Sequence, residues 1–249
     1  MNVVILTGAS RGLGAAMAAR LLAPDCQLIC ISRKPNETLA EMARAKGAAL
    51  DWYLQDLADA DATDELAKSI CRALPRDAAR YALIHNAGVA EPVGRLDALD
   101  AREFAAAVHV NLTAAMIFTA RLLAATSGLD AELRILNISS GLARRPMDGT
   151  AAYCATKAGL DMFTRCINAE AEAARARIRA VSLAPGVIDT DMQVGMRGQD
   201  TERFPESKTF RAMKDEGRLS SPVAVAEKIV DFLESDEFGA TEIDDIRNH

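Results

Sequence analysis

Residues 3–22 read VVILTGASRGLGAAMAARLL, which is an apolar run, a glycine-rich turn and then a helical pattern. Short apolar runs of this kind are typical of buried strands. Glycine at positions 8, 12 and 14 permits a tight bend and a close approach of the backbone to a pyrophosphate, and the helix N-terminus offers free N–H groups. The stretch therefore predicts a strand, a dinucleotide-binding turn and a helix, although its G-x-x-x-G-x-G spacing differs from the common fingerprint.

The same alternation of short apolar runs and longer helical patterns continues along the whole chain. The expected strands are Val3–Thr7, Gln27–Ile31, Ala49–Gln55, Tyr81–His85, Leu133–Ser139, Ile178–Ala184 and a last one near Thr241–Ile246. Most are continuous apolar runs, as expected for strands that helices cover on both faces. The pattern predicts a single α/β domain over residues 1–249, with a Rossmann-type, doubly wound, seven-stranded parallel sheet and helices on both faces.

The gaps between the expected strands carry helix signals. Asn36 can cap a helix that Gly47 ends, and Pro75 stops a helix that begins near Asp61. Both segments have the start and stop residues of helices that connect parallel strands.

Two alanine-rich stretches, 100–127 and 150–175, are expected to be the largest helices. Their apolar residues exceed one stripe, so one face is either an oligomer contact or completely buried within the monomer. Between residues 189 and 219 the alternation of strand and helix patterns stops, and the sequence contains polar residues, glycines and short apolar pieces. We interpret this segment as a mobile insertion beside the ligand site, since long loops in compact domains are usually functional or disordered.

The composition limits the classes of partner. The chain has a formal net charge of -6 and no basic stripe, which argues against nucleic acid and anionic membranes. Its five cysteines lack metal-ligand spacing, so we expect no metal site, no disulfide framework and a cytoplasmic location. The first residues lead directly into a strand-like run, and no apolar stretch approaches the ~18–20 residues that span a bilayer. We therefore expect a protein that is neither exported nor membrane-embedded.

The end of the second expected strand bears on the choice of dinucleotide. An Asp or Glu there would bind the ribose 2′-hydroxyl of NAD and repel a 2′-phosphate, but the sequence has Ser32, Arg33 and Lys34. Arg33 and Arg11 come from the two turns that flank the adenosine in this fold, and both can donate charge-assisted hydrogen bonds to a 2′-phosphate. Singly, each arginine is more often a solvated surface charge. Together they predict NADP(H) rather than NAD(H).

Tyr153 and Lys157 lie four residues apart, early in a strongly helical segment, so they share one helix face. A neighbouring ammonium favours the phenolate and lowers the pKa of a tyrosine from its usual value near ~10, which eases proton transfer to and from a carbonyl oxygen. On its own, however, this spacing is more often just a solvated helix face.

Several further motifs follow the expected strands in a fixed order, and together they resemble the short-chain dehydrogenase/reductase family over essentially the whole chain. The matching positions are Thr7–Gly14, Asp56 and Leu57, Asn86–Gly88, Asn111, Ser139 and Ser140, Tyr153 and Lys157, and Pro185 and Gly186. His85 departs from the family pattern, which usually has asparagine there, and we interpret it as a packing residue.

The resemblance implies a role for each matching residue. Ser140 would hydrogen-bond the substrate carbonyl, Tyr153 would donate the proton, and Lys157 would hold the nicotinamide ribose and tune Tyr153. Asn111 would position a water that resupplies protons. The implied cofactor-binding residues are Gly8, Ser10, Arg11, Gly12, Leu13, Gly14, Arg33, Asp56, Leu57, Asn86, Ala87, Gly88, Tyr153, Lys157, Pro185, Gly186, Val187 and Thr190.

Residues 152–162, 185–193 and 233–244 are similar to sepiapterin reductase and to bacterial benzil reductases. This similarity implies an NADPH-dependent reductase of a small carbonyl compound, an α-diketone or α-keto substrate, that works as a homodimer, with a tetramer as the alternative. It also offers Asp244 as an equivalent of the acidic residue that anchors the pterin in sepiapterin reductase. A solvated aspartate at a strand end is the other interpretation of Asp244.

Three other functions compete with this reading. A 3-oxoacyl-carrier-protein reductase would be expected to show a basic surface and a glycine-rich end to the last strand, and residues 242–249 show neither. A non-catalytic NADPH-sensing regulator often loses the Tyr–Lys pair, which this chain keeps. An interaction protein that retains only the fold would not need the Tyr–Lys pair.

Overall fold

A computed structural model describes residues 1–249 and contains one seven-stranded sheet in which every pair of neighbouring strands is parallel. The strands are β1 (Asn2–Thr7), β2 (Cys26–Ser32), β3 (Ala49–Leu54), β4 (Arg80–His85), β5 (Glu132–Ile138), β6 (Ile178–Ala184) and β7 (Ile243–Asp245). The helices are α1 (Gly12–Leu21), α2 (Glu37–Lys46), α3 (Ala60–Ala73), α4 (Ala101–Val108), α5 (Ala114–Thr126), α6 (Ala151–Ala174), α7 (Asp191–Gly198), α8 (Ser207–Asp215) and α9 (Pro222–Glu234). The predicted doubly wound α/β fold is confirmed.

The strand order creates a crevice at one edge of the sheet. The order is β3-β2-β1-β4-β5-β6-β7, so the chain winds outward from β1 in both directions. Ligands bind at such a switch point, outside the carboxyl ends of the strands. There Asn86, which follows β4, donates hydrogen bonds of 3.1 Å from Nδ2 to the carbonyl oxygens of Thr7 and Gly8. The turn after β1 and the loop after β4 are thus joined at the centre of the crevice.

The two faces of the sheet carry separate cores because successive strand residues point to opposite sides. Val4 and Leu6 of β1 pack in the cluster that includes residues of α1, α2 and α9. Val3 and Ile5 pack in the cluster on the other face, with residues of α3, α5 and α6. The four central residues of β1, Val3 to Leu6, are all apolar because both faces of the strand are buried.

The helix signals in the sequence act as predicted. The side chain of Asn36 accepts a hydrogen bond from the backbone N–H of Leu39 and caps α2. Gly47 ends the same helix with φ +61°, in the left-handed region that glycine adopts most readily. Helix α3 begins one residue before Asp61 and ends two before Pro75.

The longest apolar helical stretch corrects one expectation. Ala101–Thr126 is 26 residues long and has a window of mean hydropathy 1.4, so by length and composition it is apolar enough to cross a membrane. The expectation that no stretch approaches this length was therefore wrong. The stretch comprises α4, a π-helical turn (His109–Thr113) and α5, and its Phe118 and Leu122 are fully buried in the core. Core helices of globular proteins have this same composition.

The surface of the long helices also distinguishes between the two interpretations of their apolar content. Val108 and Met116 on the α4–α5 stretch and Met162 on α6 are exposed. Complete burial within the monomer is therefore wrong, and the oligomer contact stays a prediction.

Residues 189–219 contain two helices, which the sequence did not predict. Helices α7 and α8 pack on each other, and the rings of Phe204 and Phe210 stack with their centroids 5.9 Å apart. Lys214 Nζ on α8 donates a hydrogen bond of 2.6 Å to Asp189 Oδ2 at the base of the segment. The segment is thus a folded helical pair beside the crevice rather than a loop, and its mobility stays a prediction.

Candidate active site

A single large cleft of about 800 Å³ follows the carboxyl ends of the strands. The predicted site residues that line it are Gly8, Ser10, Arg11, Gly12, Leu13, Gly14, Arg33, Asp56, Leu57, Asn86, Ala87, Gly88, Ser140, Tyr153, Lys157, Pro185, Gly186, Val187 and Thr190. Asn111 is the one predicted site residue that lies behind the wall instead. The structure therefore brings the predicted catalytic and cofactor-binding positions into one cavity, while their individual roles stay predictions.

The glycine-rich turn forms a cradle that larger residues would fill. A Cβ at position 14 would lie 2.1 Å from the carbonyl oxygen of Gly8 and 2.5 Å from Asn86 Nδ2. Gly8 has φ +72° and Gly12 has φ +56°, so the turn uses the left-handed conformations that glycine adopts freely. No side chain caps the N-terminus of α1. Its first N–H groups are available to a phosphate, and the turn fits the pyrophosphate of a dinucleotide.

The adenosine end of the cleft is basic. Arg33 and Lys34 line it directly after β2, and no ion pair occupies Arg33. Arg11 Nη1 lies 2.7 Å from Asp191 Oδ2, and both side chains are exposed. An added phosphate would therefore meet one free guanidinium and a second that first has to leave Asp191.

The opposite end of the cleft holds the predicted catalytic residues on β5 and α6. Ser140 follows β5, and its Oγ accepts a hydrogen bond of 3.1 Å from the backbone N–H of Leu142, which fixes the hydroxyl. Lys157 Nζ donates a hydrogen bond of 2.7 Å to the carbonyl oxygen of Ile138 and lies 5.7 Å from the centroid of the Tyr153 ring. Ser140, Tyr153 and Lys157 all line this end of the cleft, so the structure brings the three side chains together there.

Burial sets the protonation of this group. Burial raises the pKa of Tyr153, and the hydrogen bond with Ser140 opposes that shift. The pKa of Tyr153 therefore lies above its usual value, opposite in direction to the lowering that the sequence predicted. Burial also lowers the pKa of Lys157 to about 8, against the opposing charge of Asp161. At neutral pH the phenol is protonated and the lysine is mostly an ammonium.

Asn111 holds the wall of the cleft rather than lining it. It lies in the π-helical turn, a local distortion that is frequent at functional sites. Its Oδ1 accepts from the N–H of Val89 at 2.8 Å, and its Nδ2 donates to the carbonyl of Val89 and to Thr156 Oγ1. The side-chain amide thus ties the loop after β4 to α6. Its role in positioning a water stays a prediction.

His85 packs in the core, as its departure from the family pattern suggested. Its Nε2 lies 3.1 Å from Thr119 Oγ1, and the residue is buried. Burial, with a contribution from the cation of Lys157, lowers the pKa of His85 to about 3. The imidazole is therefore neutral and serves as a hydrogen-bonded packing residue.

The substrate end of the cleft was largely missed by sequence reasoning. Its additional lining residues are Leu142, Arg145, Met147, Met192, Gln193, Met196, Phe210, Met213, Asp245 and Arg247. Most are apolar, and four are methionines. Arg145 precedes α6, and the other polar residues come from the chain after it, where their placement depends on tertiary packing rather than on a local motif.

Asp244 does not occupy either of its predicted environments. It is 8% exposed and accepts hydrogen bonds at 2.9 Å from Asn248 Nδ2 and at 3.0 Å from His249 Nε2. It is therefore neither a solvated strand end nor a residue of the cleft. Its neighbour Asp245 lines the cleft, paired with Arg247 through a hydrogen bond of 2.8 Å from Nε to Oδ1.

Comparison with known proteins agrees with this geometry. A family model described as short chain dehydrogenase matches residues 2–201. A benzil reductase of Bacillus cereus that forms (S)-benzoin is 37% identical over 244 residues, with 98% of both chains covered. A sepiapterin reductase of Meriones unguiculatus is 34% identical over 251 residues, covering 95% of this chain and 92% of the relative. The crystal structure of the KRED1-Pglu enzyme has a TM-score of 0.80 and 26% identity, covering 96% of this chain and 98% of the other. The chain belongs to the short-chain dehydrogenase/reductase family of oxidoreductases.

Proposed function

We propose that the protein is an NADPH-dependent carbonyl reductase whose substrate is a ketone beside a second carbonyl group. The observation that carries the proposal is that Tyr153, Ser140 and Lys157 line one end of a cleft whose other end is a glycine cradle. The family uses nicotinamide cofactors and acts on small molecules. A proton donor beside a dinucleotide site suits the reduction of a carbonyl group.

The residues at the catalytic end each have a separate role in the reduction. The bound nicotinamide supplies the hydride for the carbonyl carbon. Tyr153 donates its phenolic proton to the carbonyl oxygen, and Ser140 donates a hydrogen bond that holds this oxygen in place. Lys157, held by the carbonyl of Ile138, presents a cation beside the phenol and stabilises the negative charge that the lost proton leaves.

The choice of NADPH rests on the adenosine end. Arg33 stands free where NAD enzymes of this architecture carry an acid, and it offers a planar fork for the 2′-phosphate. Arg11 lies on the neighbouring turn and adds a second guanidinium once it leaves Asp191. Lys157 is placed to hold the nicotinamide ribose at the other end.

The substrate class rests on the lining of the catalytic end and on the relatives. Met147, Met196 and Phe210 form an apolar wall that suits an aromatic or other bulky apolar group. Benzil, for which the similar benzil reductases are named, is an α-diketone, and this supports an α-diketone or α-keto compound as the substrate.

We also propose a homodimer, or a tetramer, in the cytoplasm. The exposed Val108, Met116 and Met162 give the α4–α5 stretch and α6 an apolar face suited to a second copy. All five cysteines are free thiols, which suits a reducing compartment. Sedimentation of the purified protein tests the oligomer, and fractionation of cells tests the location.

The decisive experiment mixes the purified protein with NADPH or NADH and a panel of carbonyl compounds, and follows oxidation of the cofactor. The panel contains benzil, an aliphatic α-diketone, sepiapterin, a 3-oxoacyl thioester and a simple monoketone. We expect turnover with NADPH and the α-dicarbonyl compounds. A preference for the thioester would replace the substrate class, and cofactor binding without any turnover would indicate a sensor.

A further inference from the structure

Helix α6 carries a third ionisable residue on its catalytic face. Tyr153, Lys157 and Asp161 follow one another at four-residue intervals, which places them on one side of the helix. Asp161 is 8% exposed and Lys157 is 3% exposed. A buried carboxylate is costly unless it is paired or hydrogen-bonded, so Asp161 needs an account that the reaction described above does not give.

Three neighbouring side chains contact the carboxylate of Asp161. Oδ1 accepts hydrogen bonds of 2.6 Å from both Ser139 Oγ and Ser182 Oγ. Oδ2 lies 3.5 Å from Arg144 Nε. Hydroxyl donors and a nearby guanidinium are the kind of partners that a buried carboxylate requires.

The same strand end fixes Lys157 and Asp161. Lys157 Nζ donates to the carbonyl of Ile138, and the hydroxyl of the next residue, Ser139, donates to Asp161. The two side chains are thus anchored to consecutive residues at the end of β5. The negative charge of Asp161 raises the pKa of Lys157 and opposes the effect of burial, which lowers it to about 8.

The other ionisable groups around Lys157 cannot supply this counter-charge. His85, on β4, is neutral because burial lowers its pKa to about 3. Tyr153 is a neutral phenol, since burial raises its pKa. Arg144 is a cation beside Asp161, and its Nη2 donates a hydrogen bond to the carbonyl of Asp244. Asp161, one helical turn further along the same face of α6, is the one anion whose charge acts on the lysine.

We propose that Asp161 is a positioning residue of the active site, a buried counter-charge that keeps Lys157 protonated at the working pH. Arg144 moderates this effect by sharing the carboxylate. As a role in catalysis the inference rests on the proposed function, whereas the charge state of Lys157 can be measured whether or not the enzyme turns over.

The test compares three variants with the parent protein. Asp161→Asn keeps the shape and an oxygen acceptor for the two serines but removes the charge. Arg144→Gln removes the cation that moderates Asp161. Ser182→Ala removes one hydrogen bond without changing any charge, so it controls for loosened packing.

The first readout is the dependence of kcat on pH. Activity is expected to fall as the pH rises through the pKa of Lys157. In Asp161→Asn this fall should move to lower pH by roughly 1 unit, the smaller end of the effect of a close opposite charge. That shift gives about a threefold loss at a pH of about 7.5 and almost none at about 6. In Arg144→Gln the fall should move to higher pH, and in Ser182→Ala it should stay in place.

The second readout is a ¹⁵N NMR titration of Lys157 Nζ in lysine-labelled protein without cofactor, with Lys157→Met to assign the signal. The midpoint of the Lys157 titration should move in the same directions in the three variants. This measurement needs no substrate. If the midpoint of Lys157 is identical in Asp161→Asn and Arg144→Gln to that of the parent, the proposal is overturned. If Asp161→Asn fails to fold, Arg144→Gln decides alone. The side chain of Arg144 is 41% exposed, and loosened packing would not explain a rise in the pKa of Lys157 in this variant.

Discussion

Arg11 Nη1 and Asp191 Oδ2 form an ion pair of 2.7 Å that joins the glycine-rich turn to the first residue of α7 across the mouth of the cleft. The arginine that we assign to the 2′-phosphate is therefore already bound to a carboxylate. The side chain of Arg11 therefore affects both the choice of cofactor and the position of the helical pair α7–α8.

Asp191→Asn should strengthen binding of NADPH, because it releases Arg11 for the phosphate. Exposed ion pairs contribute at most about 1 kcal/mol, so we expect the Kd for NADPH to fall by about two- to fivefold while the Kd for NADH is unchanged. Fluorescence titration measures both constants. Asp231→Asn is the matched control, since it breaks the exposed Arg20–Asp231 pair on α1 and α9 with the same charge change. Equal changes for both cofactors would contradict the competition.

Arg33→Asp should shift the preference toward NADH, since a carboxylate there repels a 2′-phosphate and accepts from a ribose hydroxyl. We expect the ratio of kcat/KM for NADPH over NADH to drop by at least about tenfold, the loss of one charge-assisted contact. Arg44→Asp changes the charge equally on the exposed side of α2 and should leave the ratio alone. An unaltered ratio in Arg33→Asp would place the phosphate elsewhere.

Tyr153→Phe should abolish reduction and leave NADPH binding nearly intact, because only the phenolic proton is removed. The expected loss in kcat is about 10² to 10⁴-fold, the usual contribution of a general acid. Tyr81→Phe is the control: its hydroxyl donates to the carbonyl of Pro75, away from the cleft. It should lower the free energy of unfolding by about 1 kcal/mol with activity kept. Substantial activity in Tyr153→Phe would remove the tyrosine from the mechanism.

Gly14→Ala should destroy the phosphate cradle, because its Cβ would lie 2.1 Å from the carbonyl oxygen of Gly8. Overpacking of this kind costs roughly 1–3 kcal/mol, so the Tm should drop and the Kd for NADPH should rise at least about tenfold. Gly198→Ala has no atom within 4 Å of the new Cβ and should change neither quantity. Normal cofactor binding by Gly14→Ala would mean that the turn is not the phosphate site.

The local signals in the sequence predicted the fold well. The turn at Gly8 and Gly14, the cap at Asn36 and the stop at Gly47 act through neighbouring backbone groups, so they can be recognised without knowing the tertiary structure. Continuous apolar strands likewise reflect burial on both faces. Even so, the same apolar composition made the α4–α5 stretch harder to interpret.

The errors concern residues whose setting depends on packing. Asp244 and Asp245 are adjacent in β7, and successive strand residues face opposite sides, so an error of one position exchanges the cleft for the interior. Helices α7 and α8 are short and polar, and their stability relies on contacts such as the Phe204–Phe210 stack. The location of Asp161 beside the site could have been predicted from the same four-residue spacing that joins Tyr153 to Lys157.

Three of the four methionines that line the cleft, Met192, Met196 and Met213, lie on different elements from the predicted catalytic residues. Ser140, Tyr153 and Lys157 are fixed by β5 and α6, whereas Met196 and Met213 stand on α7 and α8. Thioether side chains are unbranched and adapt to ligands of different outline. Changes in the helical pair α7–α8 can therefore alter substrate selectivity, in design or in evolution. The residues on β5 and α6 that carry the reaction would stay unchanged.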